Sequence, residues 1–593
     1  MKVKLEGENC ATTNDEKIKM HEKYFFDIFD RTTCYPPVPK LHKGFIGPVD
    51  NSRPKLTWWE VKKVIARLRR GKSSGRDGLK AEMLQLLDKE HLDIIIEFII
   101  LVWDSGGIQE NWIESLISVL PKQGKDLGLV ASWRPVALLS ITSKVISTVV
   151  LNRIAGHANN FVLSECQNGF RSHRRGADHV LLIMILSSLH LAKKVPLYIY
   201  FLDISQAFDS VIRDFLYDAL VYFGFPDKEI EIIQQLYTNH TFSVKREGQA
   251  SGSRIPTKGG LKQGCPLSPT LFCTCLEYIL RITPLAEVVK LKRALIPRAA
   301  EGDVVTDAEY RELAALLYAD DICGFCNTLG KVQENLSVID KFFKKFNLII
   351  SAGKTKYVKV GRPAEEPFVD LNLPQGKIEQ VTEFVYLGSV ISEDGSSLPD
   401  IKNRIQKTCG NMVSFRKYFG SKRVARWRKV HVLQAFFLPV VTYCSETWTL
   451  TAQAKNELDT FWNKQHRKCY GVTKRDRIEM DIIRKELNVT KLSDYVEERR
   501  WNYYGHVSRY PDSRPANFIL RAGLDDQRAG RFATWKKQID SNKAEASMFY
   551  EDYNDNLVRD KKKWAEVFKA VTEGRALLEE TSSSEPSVSS VHP

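Results

Sequence analysis

The chain is 593 residues long, past the size at which one core stops growing, so several domains or subdomains are expected. Hydrophobic residues make up 43% and charged residues 27%, which excludes a disordered or fibrous chain. The formal net charge is +15, and Ile401 to Asp540 alone holds 29 Lys and Arg against 14 Asp and Glu, the whole of that excess.

A solvated face explains most charge runs. Here the excess extends through 140 residues that also hold Trp427, Trp448, Trp462 and Trp501, which suits a polyanion: cations for phosphates, rings for stacking. The eleven cysteines form no framework. Cys323 with Cys326, and Cys273 with Cys275, lack a matching pair at zinc-site spacing, so reduced, buried thiols of an intracellular protein are expected. The first ten residues carry no signal-peptide core. The most apolar run, IIIEFIILVW (94–103), is too short for a bilayer and contains Glu97, so no membrane association is expected.

In chain order, residues 1–50 read as a partly disordered linker with a short helix. LTWWEVKKVIARLRRGK (56–72) sets Val61, Ile65 and Leu68 at helical spacing, with Thr57 and Glu60 as a capping box. Helices are expected at 79–87 and 91–118, and a strand at SLISVLPK (115–122). Helices at 141–154 and 177–192 flank the Gly/Arg-rich turn QNGFRSHRRGAD (167–178). LYIYFLDI (197–204) has the bulky, β-branched content of a strand, and 208–225 reads as an amphipathic helix ending at Gly224 and Pro226. The loop GGLKQGCPLSP (259–269) leads into a helix over 270–281. No strand is expected between Leu280 and Leu316, where EGDVVTDAEYREL is acidic and helical in character. LLYAD and ICGFC make a short hairpin, 340–350 a helix, SAGKTKYVKV (351–360) and FVYLGSVI (384–391) strands. Beyond Pro399 the pattern is helical and basic, and the Ser-rich end reads as a disordered tail.

Three acidic residues share one oddity. Asp203 ends an apolar strand, and Asp320 and Asp321 sit at the tip of an apolar hairpin. If the two segments are neighbours in one sheet, three carboxylates converge; unpaired they repel and shift upward, while with Mg²⁺ they become oxygen ligands for phosphoryl transfer. A strand ending in Asp is ordinarily a turn signal, so the pattern alone is weak.

The flanking segments decide. LTWWEVKKVIARLRRGKSSGRDGLKAEML, SLISVLPKQGKD, SWRPVALLSITSKV, QNGFRSHRRGADHV, FLDISQAFDSV, GGLKQGCPLSPTLF, LLYADDI, SAGKTK, FVYLGSVIS, YCSETWTL and WNYYGHVSRY follow one another in order. From about Leu56 to Arg531 the chain resembles the reverse transcriptases of non-LTR (LINE-like) retrotransposons. The resemblance implies an α+β right-hand polymerase with fingers, palm and thumb. Its expected divisions are a helical N-terminal extension at 51–101, a reverse transcriptase domain at 102–391, a thumb at 392–470, a basic helical region at 471–570 and a tail at 571–593.

It also implies roles. Asp203 and Asp320 would be the metal-holding catalytic aspartates, with the Ile204 carbonyl on one metal and Asp321 in support. Two Mg²⁺ ions, replaceable by Mn²⁺, are the implied cofactors. Phe208 would be the steric gate against a 2′-OH, although core packing would also explain a Phe there. Gln263 would lie by the incoming dNTP, with Lys122 and Arg134 on its triphosphate and Lys354 as general acid for pyrophosphate. Tyr386, Leu387 and Gly388 would form the primer grip, and Arg171, Arg174 and Arg175 would contact the template. Helices over 402–430 would grip the minor groove of an RNA–DNA hybrid through phosphate and sugar.

Implied partners are an RNA template, a DNA primer and dNTPs, in the nucleus at target-primed synthesis and in the cytoplasm with element RNA. Fifty linker residues cannot hold an apurinic-type endonuclease, so that activity is expected from elsewhere. Glu446, Trp448, His506 and Arg509 read as structural. The alternative is a catalytically silent or domesticated nucleic-acid-binding remnant; the intact aspartates favour the enzyme.

Overall fold

The protein is described by a computed structural model that covers residues 4, 11–30, 34–38, 55–122, 124–285, 289–292, 310–313, 315–363, 365–522, 535–550 and 553–584. At its centre lies a six-stranded sheet, in the order Ala315–Tyr318, Asp321–Cys326, Leu197–Leu202, Lys356–Val360, Gly376–Gln380 and Leu371–Leu373. The first four of these pair antiparallel, in registers that include Leu317↔Ile322, Ile322↔Leu202 and Val358↔Ile199.

Both faces of this sheet are covered, which is why its strands read as apolar runs rather than alternating ones. Tyr200, Leu202 and Ile322 join a core with residues of helices Ile141–His157, Arg213–Tyr222, Ser268–Ile282 and Leu329–Lys345. Ile199, Phe201, Cys323 and Phe325 join a second core with helix Gly176–Lys193 and the distant Trp501, Tyr503 and Trp564. Among the described residues only Gly176–Lys193 is long and apolar enough to cross a membrane, and most of it is buried here as a core helix. The ten described cysteines are all free, and Cys273, Cys275, Cys323 and Cys326 are buried, as expected.

A second sheet runs Trp133–Leu139, Ser115–Pro121, Thr241–Arg246, with Ser115–Pro121 parallel to Thr241–Arg246. The short helix expected within residues 1–50 is Asn14–Phe29, which opens on a Thr13–Glu16 capping box. Its Ile18, Phe25, Ile28 and Phe29 form one stripe that packs on Ile117, Val119, Phe242 and Val244 of this sheet. The polar composition of the segment had concealed that stripe.

Other expectations shift in detail. Trp58–Arg67 has the Thr57–Glu60 box as read. The helix expected over 91–118 is Lys89–Ser105, stopped by Gly106 at φ +68, with a single turn at Glu110–Ile113 before the strand. Residues 208–212 are not helical; helix Arg213–Tyr222 follows them, then Asp227–Tyr237 beyond Pro226. The helix expected at 340–350 is Leu329–Lys345, and Ile349–Ile350 is a strand. Where no strand was expected, Val289–Lys292 pairs antiparallel with Tyr310–Leu313. Most of the acidic stretch between them lies outside the described residues. The expected tail is helical through Lys561–Ser584, and its remainder lies outside the described residues.

Helices Leu398–Met412, Arg426–Val432 and Ala452–Tyr470 share a third core through Ile401, Val430, Leu458 and Trp462. Helix Leu492–Ser508 joins this core to the second: Leu492 and Val496 belong to the third, Trp501, Tyr503 and Val507 to the second. The residues read as structural behave so. Trp448 is buried with its indole N–H donating to Asp400 at 2.8 Å, and Glu446 pairs with Arg499 at 2.7 Å. The His506 ring rests edge-on against Tyr510, and Arg509 donates to the Val558 carbonyl.

Candidate active site

Strand Leu197–Leu202 ends at Asp203, and the neighbouring strand begins at Asp321. Continuing the Ile322↔Leu202 register by one step brings Asp321 opposite Asp203. Tyr318 pairs with Asp321, so Ala319 and Asp320 form the two-residue turn, with Ala319 in the left-handed region at φ +58. The tip of the hairpin is therefore Ala319–Asp320, and Asp321 opens the strand rather than sharing the tip.

The three carboxylates feel one another. Desolvation, then the charge of Asp203, raises Asp320 above the ordinary carboxylate range, against the pull of Lys354 and Arg134. Asp321 stands at the exposed mouth of the cleft; partial desolvation, then the charges of Asp320 and Asp203, push it up to about 6. Positive charge gathers opposite. The Lys354 ammonium donates to Asp203 Oδ2 at 2.8 Å. Lys122 is anchored on the Ala131 carbonyl at 2.7 Å, and its pKa is lowered by desolvation and by Lys354 and Arg134 beside it. Asp203, Asp320, Asp321, Lys122, Arg134 and Lys354 thus lie within electrostatic reach of one another.

The loop 259–267 lies against strand Trp133–Leu139. Gly264 has φ +124, and a Cβ there would lie 2.6 Å from the Ala137 carbonyl oxygen, so only glycine lets the loop rest on strand Trp133–Leu139. Gln263 uses its backbone carbonyl to accept from Ala137 N–H and its side-chain amide to donate to Asp209 at 2.9 Å. One residue before Asp209, the half-buried Phe208 ring stacks on Phe272, with centroids 4.9 Å apart. That stack is the core packing that would also explain a Phe there.

Beside Gln263, Lys262 is fully enclosed, its ammonium donating to the Ile113 and Leu236 carbonyls at 3.0 and 2.7 Å. Burial pushes its pKa down to about 7. Between pH 7 and its usual 10.5 the unfolded chain holds a proton that the folded chain releases, so stability rises with pH by up to about 1.4 kcal/mol per unit. Above about pH 9 the buried thiols, Cys273 and Cys469 among them, hold protons that the unfolded chain loses and so oppose this. Thermal unfolding followed from pH 7 to 8.5 is expected to show a rising Tm that flattens in Lys262→Met; an unchanged slope would assign the effect to another group.

Several expectations are corrected. Tyr386 does not offer its side chain to a primer: it is buried, its ring faces His179 and Phe201, and its hydroxyl lies 3.2 Å from His179 Nδ1. Leu387 and Gly388 are the tight turn of the hairpin, both at positive φ (+47 and +86), and they face other protein groups. The Leu387 carbonyl accepts from the Tyr443 hydroxyl and the Gly388 carbonyl from Arg404. Arg171 is buried and donates to Asn159 and to the Ser164 and Gln167 carbonyls, and Arg174 is held by Glu165. Both brace the turn they belong to. Arg175 alone of the three is exposed.

Sequence reasoning missed the support behind Asp320. Segment 166–169 lies along the outer strand: Leu317 N–H donates to the Cys166 carbonyl, and Asn168 N–H to the Leu317 carbonyl. The buried Gln167 Oε1 accepts from Ala319 N–H at 2.9 Å and from Gly169 N–H at 2.8 Å. QNGF had been noticed as a motif, but its glutamine was given no task.

The donor set is oxygen only, which suits a hard divalent cation. Among the described residues no three His, Cys, Asp or Glu side chains form a complete ligand cluster. One or two carboxylates, with backbone, water and substrate phosphates completing the shell, would be the usual manner of holding Mg²⁺. Raised carboxylates neutralised by a lysine fit such an ion.

Carboxylates at a strand end and a hairpin turn, faced by cations on a neighbouring sheet, have the chemistry that a metal-assisted phosphoryl transfer would use. Residues 120–391 match the family reverse transcriptase (RNA-dependent DNA polymerase). The chain is 25% identical over 465 residues to an RNA-directed DNA polymerase from mobile element jockey of Drosophila melanogaster, covering 77% of this chain and 48% of that protein. Its counterpart from Drosophila funebris is 24% identical, covering 80% and 50%. A Pol polyprotein from the type-1 retrotransposable element R2 of Nasonia vitripennis is 24% identical, covering 62% and 34%. Residues 120–391 thus match a reverse transcriptase domain, and the chain as a whole is similar to LINE-like, non-LTR retrotransposon polymerases while spanning about half the length of the jockey proteins it matches. A telomerase structure from Candida tropicalis, truncated from its C-terminal domain, superposes over 51% of this chain and 59% of its own at 12% identity and TM-score 0.31, too loosely to carry an argument.

Proposed function

We propose that this protein is an RNA-directed DNA polymerase that extends a DNA primer on an RNA template. The observation that carries this reading is the meeting of Asp203 and Asp320 in one cleft with Lys122, Arg134 and Lys354. Asp203, Asp320 and the Ile204 carbonyl would hold Mg²⁺, two ions in the reading preferred here, with Asp321 supporting. When bound, the metal supplies charge stabilisation for the attacking and leaving oxygens.

The protein groups then have separate tasks. Lys122 and Arg134 bind the triphosphate and balance charge on the departing pyrophosphate. Lys354, whose ammonium donates to Asp203, would be the group that gives a proton to pyrophosphate, while Asp203 would hold the metal. Gln263, fixed at both ends, forms a wall of the nucleotide site. The Leu387–Gly388 turn, braced by Tyr443 and Arg404, supports the primer end through its backbone. On this reading the two sheets and their helices are palm and fingers, helices Leu398–Met412 and Arg426–Val432 belong to the thumb, and synthesis takes place in the nucleus.

Purified protein is expected to extend oligo(dT) on poly(rA) with dTTP and Mg²⁺; no extension would favour the silent remnant. Phe208→Val is expected to weaken discrimination against UTP by roughly 10–100-fold, the scale of one steric contact. The same change trims a ring from the Phe272 stack, at a stability cost of about 1–3 kcal/mol. The dTTP/UTP ratio separates the two readings, since lost packing leaves it unchanged.

A further inference from the structure

Away from the cleft, the C-terminal ends of helices Leu398–Met412 and Ala452–Tyr470 meet helices Arg416–Gly420 and Arg426–Val432 around a cavity of about 800 Å³. It begins past Arg404, which serves Gly388, and Met412 lies about 12 Å further along the helix axis. Its lining includes the aromatic Phe419, Phe461 and Tyr470, the last with the Arg426 guanidinium 3.8 Å from its ring centre. Its walls carry Arg416, Lys422, Arg426, Lys429, Lys464 and Lys468, and no carboxylate lines it.

The charges are largely uncompensated. Glu486 reaches Arg426 at 3.3 Å, and Lys468 donates to Gln465 Oε1 at 3.0 Å. Among the described residues Arg416, Lys422, Lys429 and Lys464 have no acidic partner, although Lys429 is 5% exposed. The helix dipole accounts for Lys464 and Lys468, which sit in the last two turns of Ala452–Tyr470. It does not account for Lys422, which lies outside a helix, nor for the burial of Lys429. Six cations around one cavity, with Glu486 the single acidic neighbour among the described residues, repel one another, and an anion would relieve that repulsion.

We infer that this cavity is a second nucleic-acid site, binding an unpaired polynucleotide segment with phosphates on the cationic walls and a base against the aromatic lining. A cavity of this volume is in the range of ligand pockets and admits a base, whereas a duplex presents its bases stacked inward. The cations recognise phosphate and the rings a π-face, features that unpaired RNA and DNA share.

The test uses the full chain with labelled 12-nucleotide single-stranded RNA, the same DNA sequence, and a blunt RNA–DNA hybrid, with affinity read by fluorescence anisotropy across salt concentrations. Lys464→Glu with Lys468→Glu changes two exposed side chains. It is expected to weaken single-strand binding at least tenfold and to lower the salt slope by about 1.4, two single-strand phosphate contacts. Hybrid affinity and the primer-extension rate should stay within twofold, and Lys464→Arg with Lys468→Arg should retain single-strand affinity. Comparison of the RNA and DNA arms identifies the strand preferred. Photocrosslinking of 4-thiouridine RNA to the unmodified protein is expected to label residues 409–429 and 461–473. Unchanged single-strand affinity, an equal loss for the hybrid, full competition by inorganic triphosphate, or crosslinks confined to other segments would each overturn the assignment. Binding is read directly, so a polymerase without activity would leave this result standing.

Discussion

Asp320→Asn is expected to abolish primer extension, by at least about 10³-fold, while leaving the fold as stable as the parent or more so. The two effects have one cause. Asp320 sits in the turn between two strands, where desolvation and the nearby Asp203 already disfavour its charge. An amide of the same shape keeps the turn and removes a repulsion, so Asp321 becomes easier to ionise. It also removes an anionic oxygen from the place where a divalent cation is needed, and a neutral amide is a poor substitute for Mg²⁺. Stability and activity should therefore move in opposite directions, as happens where a site is built against the preference of the fold. Thermal unfolding and single-turnover extension on one preparation check this. A marked fall in Tm would show that Asp320 holds structure. Extension at more than a tenth of the parent rate would remove it from the catalytic centre.

How much of this was legible in the sequence depends on whether the determinant is local. The strand ending at Asp203 and the hairpin holding Asp320 are written in contiguous apolar runs, and the order of the flanking motifs supplied their convergence. Thr57 and Glu60 make a cap within one turn, and it was read correctly. The failures concern residues whose partners the local pattern does not reveal. Arg171 looked like a phosphate contact because it stands in an Arg-rich turn, yet three backbone carbonyls, at Asn159, Ser164 and Gln167, consume its donors. Tyr386 looked available because it is near a hairpin tip, but strand alternation turns it inward onto His179, from helix Gly176–Lys193. Helix Asn14–Phe29 was undervalued because its stripe has meaning only when the second sheet is there to receive it. Composition reports which side chains can bind phosphate; only the fold reports which are already occupied.

Gly169→Ala is expected to reduce the single-turnover extension rate by about 10²-fold with little change in primer–template affinity. A Cβ at Gly169 would lie 2.3 Å from Ala319 N and 2.9 Å from both the Tyr318 carbonyl carbon and Gln167 Oε1. Two of those neighbours are backbone, and the third is a buried amide already accepting two hydrogen bonds, so none can swing aside. Relief requires the hairpin turn to move, and that turn carries Asp320. A displacement of about 1 Å at a reacting centre costs on the order of 10²-fold in rate. The Gln167→Met variant approaches the same turn differently. It leaves the Ala319 and Gly169 N–H groups buried without an acceptor, at about 1–3 kcal/mol each, and loosens Ala319, which already holds a left-handed φ. Both variants should slow chemistry more than binding, because the support lies behind the aspartate rather than along the nucleic acid. Gly330→Ala, where an added Cβ meets nothing within 4 Å, is the matching control and should leave the rate unchanged. If Gly169→Ala extends primers at the parent rate, the clamp does not position Asp320. If affinity and rate fall together, it serves the nucleic-acid surface instead.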